Sequence, residues 1–195
     1  IAAHGVVRGF PAGQVLIREG DLQDALYVVL SGRVKVHTTG ADGRDLVLAT
    51  LGPGELLGEL ALDGGERSAS VTTLEPCRCA LVRSADLQAF ISRHPGFARH
   101  LILKLIGRVR RLTHSARSLA LDDARTRIAA LLARHAVDDG DARVVAERWT
   151  QQDIADRVGT SREMVSRVFK EMVRDGELSL DGRRLRLLRR PHETH

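Results

Sequence analysis

The sequence is poor in aromatic residues and contains no long apolar run. Aromatic residues make up 3% of the 195 positions, which leaves little material for a substrate-stacking cleft. The densest apolar stretch, residues 101–109, is interrupted by Lys104 and Arg108. It is far shorter than the roughly 20 residues of a membrane span, so no membrane association is expected. No secretion signal is visible, and Ile1 in place of Met indicates a trimmed start.

Cysteine is also scarce, because only Cys77 and Cys79 are present. Their spacing makes an unstrained disulfide awkward, and two cysteines cannot supply the four ligands of an iron–sulfur cluster. Together with the missing secretion signal they indicate the reducing cytoplasm. The eight histidines show no H-x₃-H or HExxH spacing, so no metal site is predicted. No nucleophile elbow, Walker loop or paired-carboxylate pocket is present, so the chain is not expected to be an enzyme.

Positive charge is concentrated in the C-terminal half. Residues 1–98 hold 9 Lys and Arg against 11 Asp and Glu, a balance of −2. Residues 99–195 hold the other 21 and 14, a balance of +7. This asymmetry favours a polyanionic partner for the C-terminal half, although a solvated basic face would have the same composition.

Short alternating apolar segments fill the first part of the chain. VLIREG, LYVVLSGRVKVHT and DLVLATLGPG each place apolar residues at period two and stop at glycine. This is the pattern of a small antiparallel barrel or roll. A short helix at GELAL precedes further strands at SASVTTL and RCALVR. Ser84 is then expected to cap a helix over 84–92, and Pro95 to begin another.

The helix that follows Pro95 carries a heptad seam. An apolar seam limited to the a and d positions is typical of a helix that pairs with the same helix of a second chain. A helix that packs on its own domain needs a broader apolar stripe. The seam consists of Ile102, Leu105, Val109, Leu112, Ala116 and Leu119. We therefore expect a parallel homodimer. Asp122 and Asp123 interrupt the pattern and cap a further helix, which predicts three parts: residues 1–95, 96–121 and 122–195.

A helix-turn-helix is predicted near the C-terminus. Thr150 caps the first helix with Asp153 three residues on, Gly159 ends that helix, and Thr160 is expected to cap the second. Beyond it, Asp181-Gly182 lies between alternating leucines. Asp-Gly in that setting is a strong hairpin signal. The combination predicts a winged helix.

The second helix of this unit has an inner and an outer face. Val165, Val168, Phe169 and Met172 are predicted to point inward. The outer face is left with Arg162, Glu163, Ser166 and Arg167. Arginine matches the O6 and N7 acceptors of guanine, and glutamate can accept from the N4 amine of cytosine. A carboxylate would repel the DNA backbone, which favours base readout over a phosphate site. The alternative is a Glu163–Arg167 surface ion pair.

The segment GELALDGGERSASV, residues 58–71, combines groups that can hold a phosphate. Gly58 permits close approach of the backbone, Arg67 supplies a charged fork, and Ser68 supplies a hydroxyl. Glu59 could accept a hydrogen bond from a sugar hydroxyl. The alternative is an ordinary Glu66–Arg67 surface pair after a Gly64-Gly65 turn.

The glycine-rich roll, the GEL…RSA segment, the long helix and the SRExxSR helix, in this order, resemble the CRP–FNR family of bacterial transcription regulators. The resemblance covers nearly the whole chain. It implies an α+β fold with an N-terminal cyclic-nucleotide-binding β-roll of jelly-roll type, a dimerisation helix and a C-terminal winged helix-turn-helix. It also implies RNA polymerase as a partner.

The resemblance assigns the ligand to the β-roll. In this family Gly58 and Glu59 match positions at the ribose of cyclic AMP, and Arg67 and Ser68 match positions at its phosphate. Thr113 matches the position that reaches the base of the nucleotide bound to the partner subunit. The full expected set is Gly58, Glu59, Leu60, Arg67, Ser68, Ala69, Arg108 and Thr113.

The resemblance assigns double-stranded DNA to the C-terminal helices. Arg162, Glu163 and Arg167 match base-reading positions for TGTGA-like half-sites, while the FNR branch reads TTGAT-like ones. Thr150 and Gln151 match phosphate-contacting positions. The full expected set is Thr150, Gln151, Gln152, Ser161, Arg162, Glu163, Ser166 and Arg167.

Two features depart from the family pattern. The loop between Gly58 and Arg67 is at least one residue shorter than is usual, and Leu112 stands where cyclic-AMP receptors often carry threonine. Cyclic AMP is the expected ligand. The alternatives are cyclic di-GMP, haem, a redox signal or no ligand, and a scaffold whose C-terminal helices bind protein.

Overall fold

A computed structural model describes residues 2, 5–22, 24–59, 64–140, 142–181 and 184–188, without the side chain of Asp181. The chain divides into two compact units, Ile1–Leu112 and Thr113–His195. The predicted three-part division at 95/96 and 121/122 stays a prediction. Among the residues described, no helix is both long and apolar enough to cross a bilayer.

The first unit contains two four-stranded antiparallel sheets, as the alternating segments predict. Their strand orders are β1-β8-β3-β6 and β2-β7-β4-β5. The strands are β1 (Val6–Phe10), β2 (Val15–Ile17), β3 (Ala25–Ser31), β4 (Val34–Thr39), β5 (Asp45–Leu51), β6 (Leu56–Leu57), β7 (Ser70–Thr73) and β8 (Cys77–Arg83). The predicted β-roll is confirmed. The helix predicted at GELAL lies mostly outside the described residues.

The core of this unit lies on both faces of β3 and β8. Consecutive residues of β3, Leu26 to Val29, are all buried. On β8, Cys77 and Cys79 are 2% and 0% exposed and form no disulfide. Burial raises the pKa of the Cys79 thiol to about 11 and also raises that of Cys77. Both thiols therefore stay protonated near neutral pH, which argues against a redox role.

Two helices follow β8: α1 (Ser84–Arg93) and α2 (Pro95–Leu121). Arg83, in extended conformation, occupies the N-cap position of α1, and its side chain makes no capping hydrogen bond. The prediction that Ser84 caps this helix is therefore wrong, because Ser84 is already its first helical residue. The start of α2 at Pro95 is confirmed.

No residue of α2 is fully buried, although Phe97 and Leu101 near its start pack against the core cluster that contains Leu87. Ile102, Val109 and Leu112 of the predicted seam are 55%, 61% and 42% exposed. Ile106, which the seam does not include, is 43% exposed. Together these residues leave an apolar stripe along α2 uncovered within one chain.

Besides the end of α2, the described residues of the second unit form three helices and one four-stranded antiparallel sheet, ordered β11-β12-β10-β9. Its elements are α3 (Ala124–His135), β9 (Ala136–Asp139), β10 (Ala142–Val145), α4 (Gln151–Val158), α5 (Arg162–Arg174), β11 (Leu178–Asp181) and β12 (Arg184–Leu188). Asp123 caps α3 by accepting from Thr126 N at 2.7 Å, as predicted. β11 pairs with β12, although Gly182 of the predicted turn lies outside the described residues. The β9–β10 hairpin was not predicted.

Candidate ligand pocket and DNA-binding surface

A small cavity in the first unit collects most of the predicted ligand residues. Its volume is about 60 Å³. The residues that line it are Ile17, Val36, Leu57, Gly58, Glu59, Arg67, Ser68, Ala69, Val71 and Arg108. Six of these were expected from sequence. Leu60 lies outside the described residues, and Thr113, exposed on α2, is not among the described residues that line the cavity.

Arg67 is the buried cation of this cavity, with only 4% of its surface exposed. Its Nη1 donates to the carbonyl of Gly58 at 2.8 Å, and its Nη2 donates to the carbonyl of Ala25 at 2.5 Å. The Arg67 backbone N–H also donates to the Asp21 carbonyl at 3.0 Å. The guanidinium is therefore held in one orientation, and its charge favours an anion in the cavity.

Gly58 is required next to Arg67 for two reasons. Its φ of +81° lies in the left-handed region that side chains disfavour. A Cβ at this position would also lie 2.5 Å from Arg67 Nη1. Only glycine lets the chain pass this close to the guanidinium.

Glu59 lines the same cavity and is 5% exposed. It forms an ion pair with Arg108 of α2. One helical turn earlier, Lys104 Nζ donates to the Gly54 carbonyl at 3.1 Å and to Glu55 Oε1 at 3.0 Å. Two cations of α2 therefore bind residues on the two sides of Gly58. The cavity contains a fixed cation and a carboxylate, which suit a phosphate and a hydroxyl.

The apolar walls were not singled out from sequence. Val36 of β4 and Val71 of β7 are register partners, so they lie on the same face of the sheet. Ile17 and Leu57 complete the wall. The alternation of apolar residues along the strands predicts that these side chains point inward. The same pattern occurs for core residues, so it does not identify the walls of a cavity.

In the second unit, α4 and α5 form the predicted helix-turn-helix. Thr150 and Asp153 make a reciprocal capping box on α4. Gly159 ends α4 with φ of +64°. Thr160 was expected to cap α5, and this is wrong: Ser161 Oγ accepts from Met164 N at 3.2 Å. Thr160 still belongs to the end of α4, since its N–H donates to the Ala155 carbonyl.

The outer face of α5 carries the predicted base-reading residues. Arg162, Glu163 and Arg167 are exposed and Ser166 is partly exposed. The predicted inner face, Val165, Val168, Phe169 and Met172, is buried at 0–4% exposure. Lys170 was not predicted, although it is exposed three residues after Arg167, on the same helical face. The exposed face therefore presents three cations and one carboxylate.

The N-terminal end of α4 carries the other residues predicted to contact DNA. Thr150 is exposed and Gln151 is partly exposed. Gln152 donates from its amide to Asp156 Oδ1 at 2.6 Å. The first N–H groups of a helix and its positive dipole end favour an anion such as a phosphate. No group of His, Cys, Asp and Glu suited to a metal occurs in the part of the chain that the structure describes.

Two family models match this chain. Residues 7–94 match the cyclic nucleotide-binding domain, and residues 126–192 match the Crp-like helix-turn-helix domain. The chain is 37% identical over 174 residues to the cyclic AMP receptor protein of Thermus thermophilus, covering 89% of this chain and 79% of that protein. It is 32% identical over 179 residues to a CRP-like cAMP-activated global transcriptional regulator of Mycobacterium tuberculosis, covering 89% and 80%.

Solved structures have the same fold. The c-di-GMP responsive global regulator CLP of Xanthomonas campestris matches with a TM-score of 0.85 at 31% identity, covering 97% of this chain and 96% of that chain. A CRP/FNR family regulator from Thermus thermophilus matches with a TM-score of 0.75 at 25% identity, covering 94% of each chain.

Proposed function

The chain belongs to the CRP–FNR family of DNA-binding transcription regulators, and on this premise we propose that cyclic AMP bound in the β-roll controls a homodimer that reads palindromic DNA. The family consists of regulators and not of enzymes. One observation carries the proposal of a nucleotide ligand: buried Arg67 and buried Glu59 face the same cavity. The named relatives from Thermus thermophilus and Mycobacterium tuberculosis favour cyclic AMP.

In this proposal three polar groups of the cavity bind the nucleotide. Arg67 and Ser68 take the cyclic phosphate, and Glu59 accepts from the ribose hydroxyl. Because Glu59 already pairs with Arg108, the ligand acts on α2 through a shared carboxylate. A cavity of about 60 Å³ is small beside the roughly 300 Å³ or more of typical ligand sites. In this proposal the cavity widens when a nucleotide binds.

The exposed stripe on α2 supports the parallel homodimer. We propose that two copies join along Ile102, Ile106 and Val109, and the family resemblance assigns Thr113 to the base of the partner's nucleotide. The recognition helices must then lie about one DNA turn, ~34 Å, apart to read a palindrome with TGTGA-like half-sites. A ligand can shift this spacing only by binding the two arrangements with different affinity. We propose that residues 1–95 bind the nucleotide, residues 96–121 form the dimerisation helix and residues 122–195 bind DNA. We also propose that the protein acts in the cytoplasm with RNA polymerase as a partner.

Isothermal titration calorimetry against cyclic AMP, cyclic GMP and cyclic di-GMP tests the ligand. The parent protein is expected to bind cyclic AMP, and Arg67→Ala to lose that binding. Arg78→Ala, which removes an exposed arginine from β8, is the matched control and should bind like the parent. Equal binding by Arg67→Ala and the parent would refute the assignment.

Cyclic di-GMP is the second candidate ligand. The observation that favours it is the similarity to the c-di-GMP responsive regulator CLP over nearly the whole of both chains. The same titration decides between the two nucleotides. If only cyclic di-GMP releases or absorbs heat, cyclic di-GMP and not cyclic AMP is the ligand.

A further inference from the structure

Trp149 stands immediately before the N-cap residue of α4 and is the one tryptophan in the sequence. It is partly buried and packs against the core cluster that includes Ile154. An apolar residue before the cap that packs with the fourth helical residue is a hydrophobic staple. Trp149 and Ile154 occupy these two positions, so the staple sets the direction in which the chain enters α4.

A cation from α4 lies over the tryptophan ring. The guanidinium carbon of Arg157 is 4.9 Å from the ring centroid. A cation within about 6 Å of an indole face is attracted to it. Arg157 Nη1 also donates to the Asp153 carbonyl at 2.9 Å. Arg157 therefore links the Trp149 ring to the first turn of α4.

A third contact comes from the last residue of α3. The His135 ring meets the Trp149 ring edge-on, with centroids 4.7 Å apart and planes at 66°. His135 Nδ1 lies 2.9 Å from Glu147 Oε1. Because a carboxylate only accepts, the proton of this bond belongs to Nδ1, which fixes the imidazole orientation. Trp149 is therefore held between α3 and α4.

We propose that Trp149 is a positioning residue for binding of the DNA backbone. Clamped by His135 and Arg157, it holds the N-terminal turn of α4 where Thr150 and Gln151 receive a phosphate. The inference rests on the proposed phosphate contacts of those two residues. The base-reading helix α5 has its own cap at Ser161, so the clamp acts on backbone contacts and not on base selection.

Fluorescence anisotropy over a salt series tests this role. The probes are a random-sequence duplex and a duplex that the parent selects from a randomised pool. Trp149→Leu keeps apolar volume but removes the ring, and we expect it to bind both duplexes about fivefold more weakly. Because Thr150 and Gln151 are uncharged and the salt slope reflects phosphates neutralised by Lys and Arg, the slope is expected to stay close to that of the parent. Trp149→Phe restores a ring face for Arg157 and should return affinity to within about twofold of the parent.

Three outcomes overturn the inference: unchanged affinity in a folded Trp149→Leu variant, loss only on the selected duplex, or no rescue by Trp149→Phe. Gln151→Ala separates this result from the proposed contact itself. If Gln151→Ala weakens binding and Trp149→Leu does not, only the positioning role fails. If neither weakens binding, the phosphate contact fails as well.

Urea unfolding checks the fold of each variant. If Trp149→Leu is unfolded, Arg157→Met is tested in its place, because it keeps the Trp149 ring and removes the cation that lies over it. Arg157→Met is then expected to lose about fivefold in affinity, and Arg157→Lys to recover most of it. Parent-like affinity of Arg157→Met would overturn the inference.

Discussion

Gly58→Ala tests whether close approach of the backbone to Arg67 is needed for ligand binding. A side chain at φ of +81° costs about 1–2 kcal/mol. The new Cβ would lie 2.5 Å from Arg67 Nη1, so the guanidinium must leave its 2.8 Å hydrogen bond to the Gly58 carbonyl. A hydrogen bond of a charged group contributes about 1.5–3 kcal/mol. We expect the free energy of unfolding to fall by about 2.5–5 kcal/mol.

The chain offers a matched control in Gly43→Ala. Gly43 has φ of +76°, but a Cβ there meets nothing within 4 Å. It therefore carries the backbone cost of about 1–2 kcal/mol without the contact with Arg67. Urea unfolding and calorimetry should show that only Gly58→Ala loses at least tenfold in nucleotide affinity. The reasoning about Arg67 would be refuted if the two variants lost equal stability and bound nucleotide equally well.

Three further predictions concern base readout, acid stability and assembly. Arg167→Ala should cost about 1–3 kcal/mol of discrimination against a changed half-site base; in anisotropy titrations, equal losses on all duplexes would mean that Arg167 contacts only phosphate. Burial disfavours the Asp45 carboxylate, but hydrogen bonds from Lys35 and Thr39 outweigh it and lower the pKa of Asp45 below 3.8. This stabilisation is present above pH 3.8 and is lost as pH falls through the lowered pKa. Asp45→Asn should therefore reduce the free energy of unfolding by up to about 1 kcal/mol at pH 7 and by less below pH 3.8. A difference in urea midpoints that does not change with pH would contradict this. Val109→Glu should yield a folded monomer in sedimentation. The control Val137→Glu should stay dimeric, because it changes a residue of the second unit that is 57% exposed. An unchanged mass for Val109→Glu would contradict the proposed seam.

The fold was largely predictable because most elements carry a local signal, the β9–β10 hairpin being an exception. Alternating apolar residues predicted the strands of the β-roll, and Thr150 followed by Asp153 predicted the cap of α4. Both mistaken caps, Ser84 and Thr160, were misplaced by one residue. Which of two adjacent positions takes the extended conformation is decided by the preceding element, here β8 and the end of α4, and the side-chain type does not reveal it.

The cavity and the Trp149 clamp were only partly predictable. Glu59 and Arg108 are 49 residues apart in sequence, yet they form an ion pair. Trp149 flanks α4 and Arg157 belongs to it, whereas His135 comes from the end of α3. Such contacts depend on how elements pack, and neither periodicity nor residue type within one segment contains that information.

The central claim is that nucleotide in the β-roll and DNA on α5 act on each other. Linkage requires that nucleotide and DNA raise each other's affinity by the same factor. Calorimetric titration of cyclic AMP into the protein, with and without the selected duplex, measures this factor directly. We predict tighter nucleotide binding in the presence of DNA, by a factor equal to the gain in DNA affinity that cyclic AMP produces. Identical nucleotide affinity with and without DNA would contradict the account.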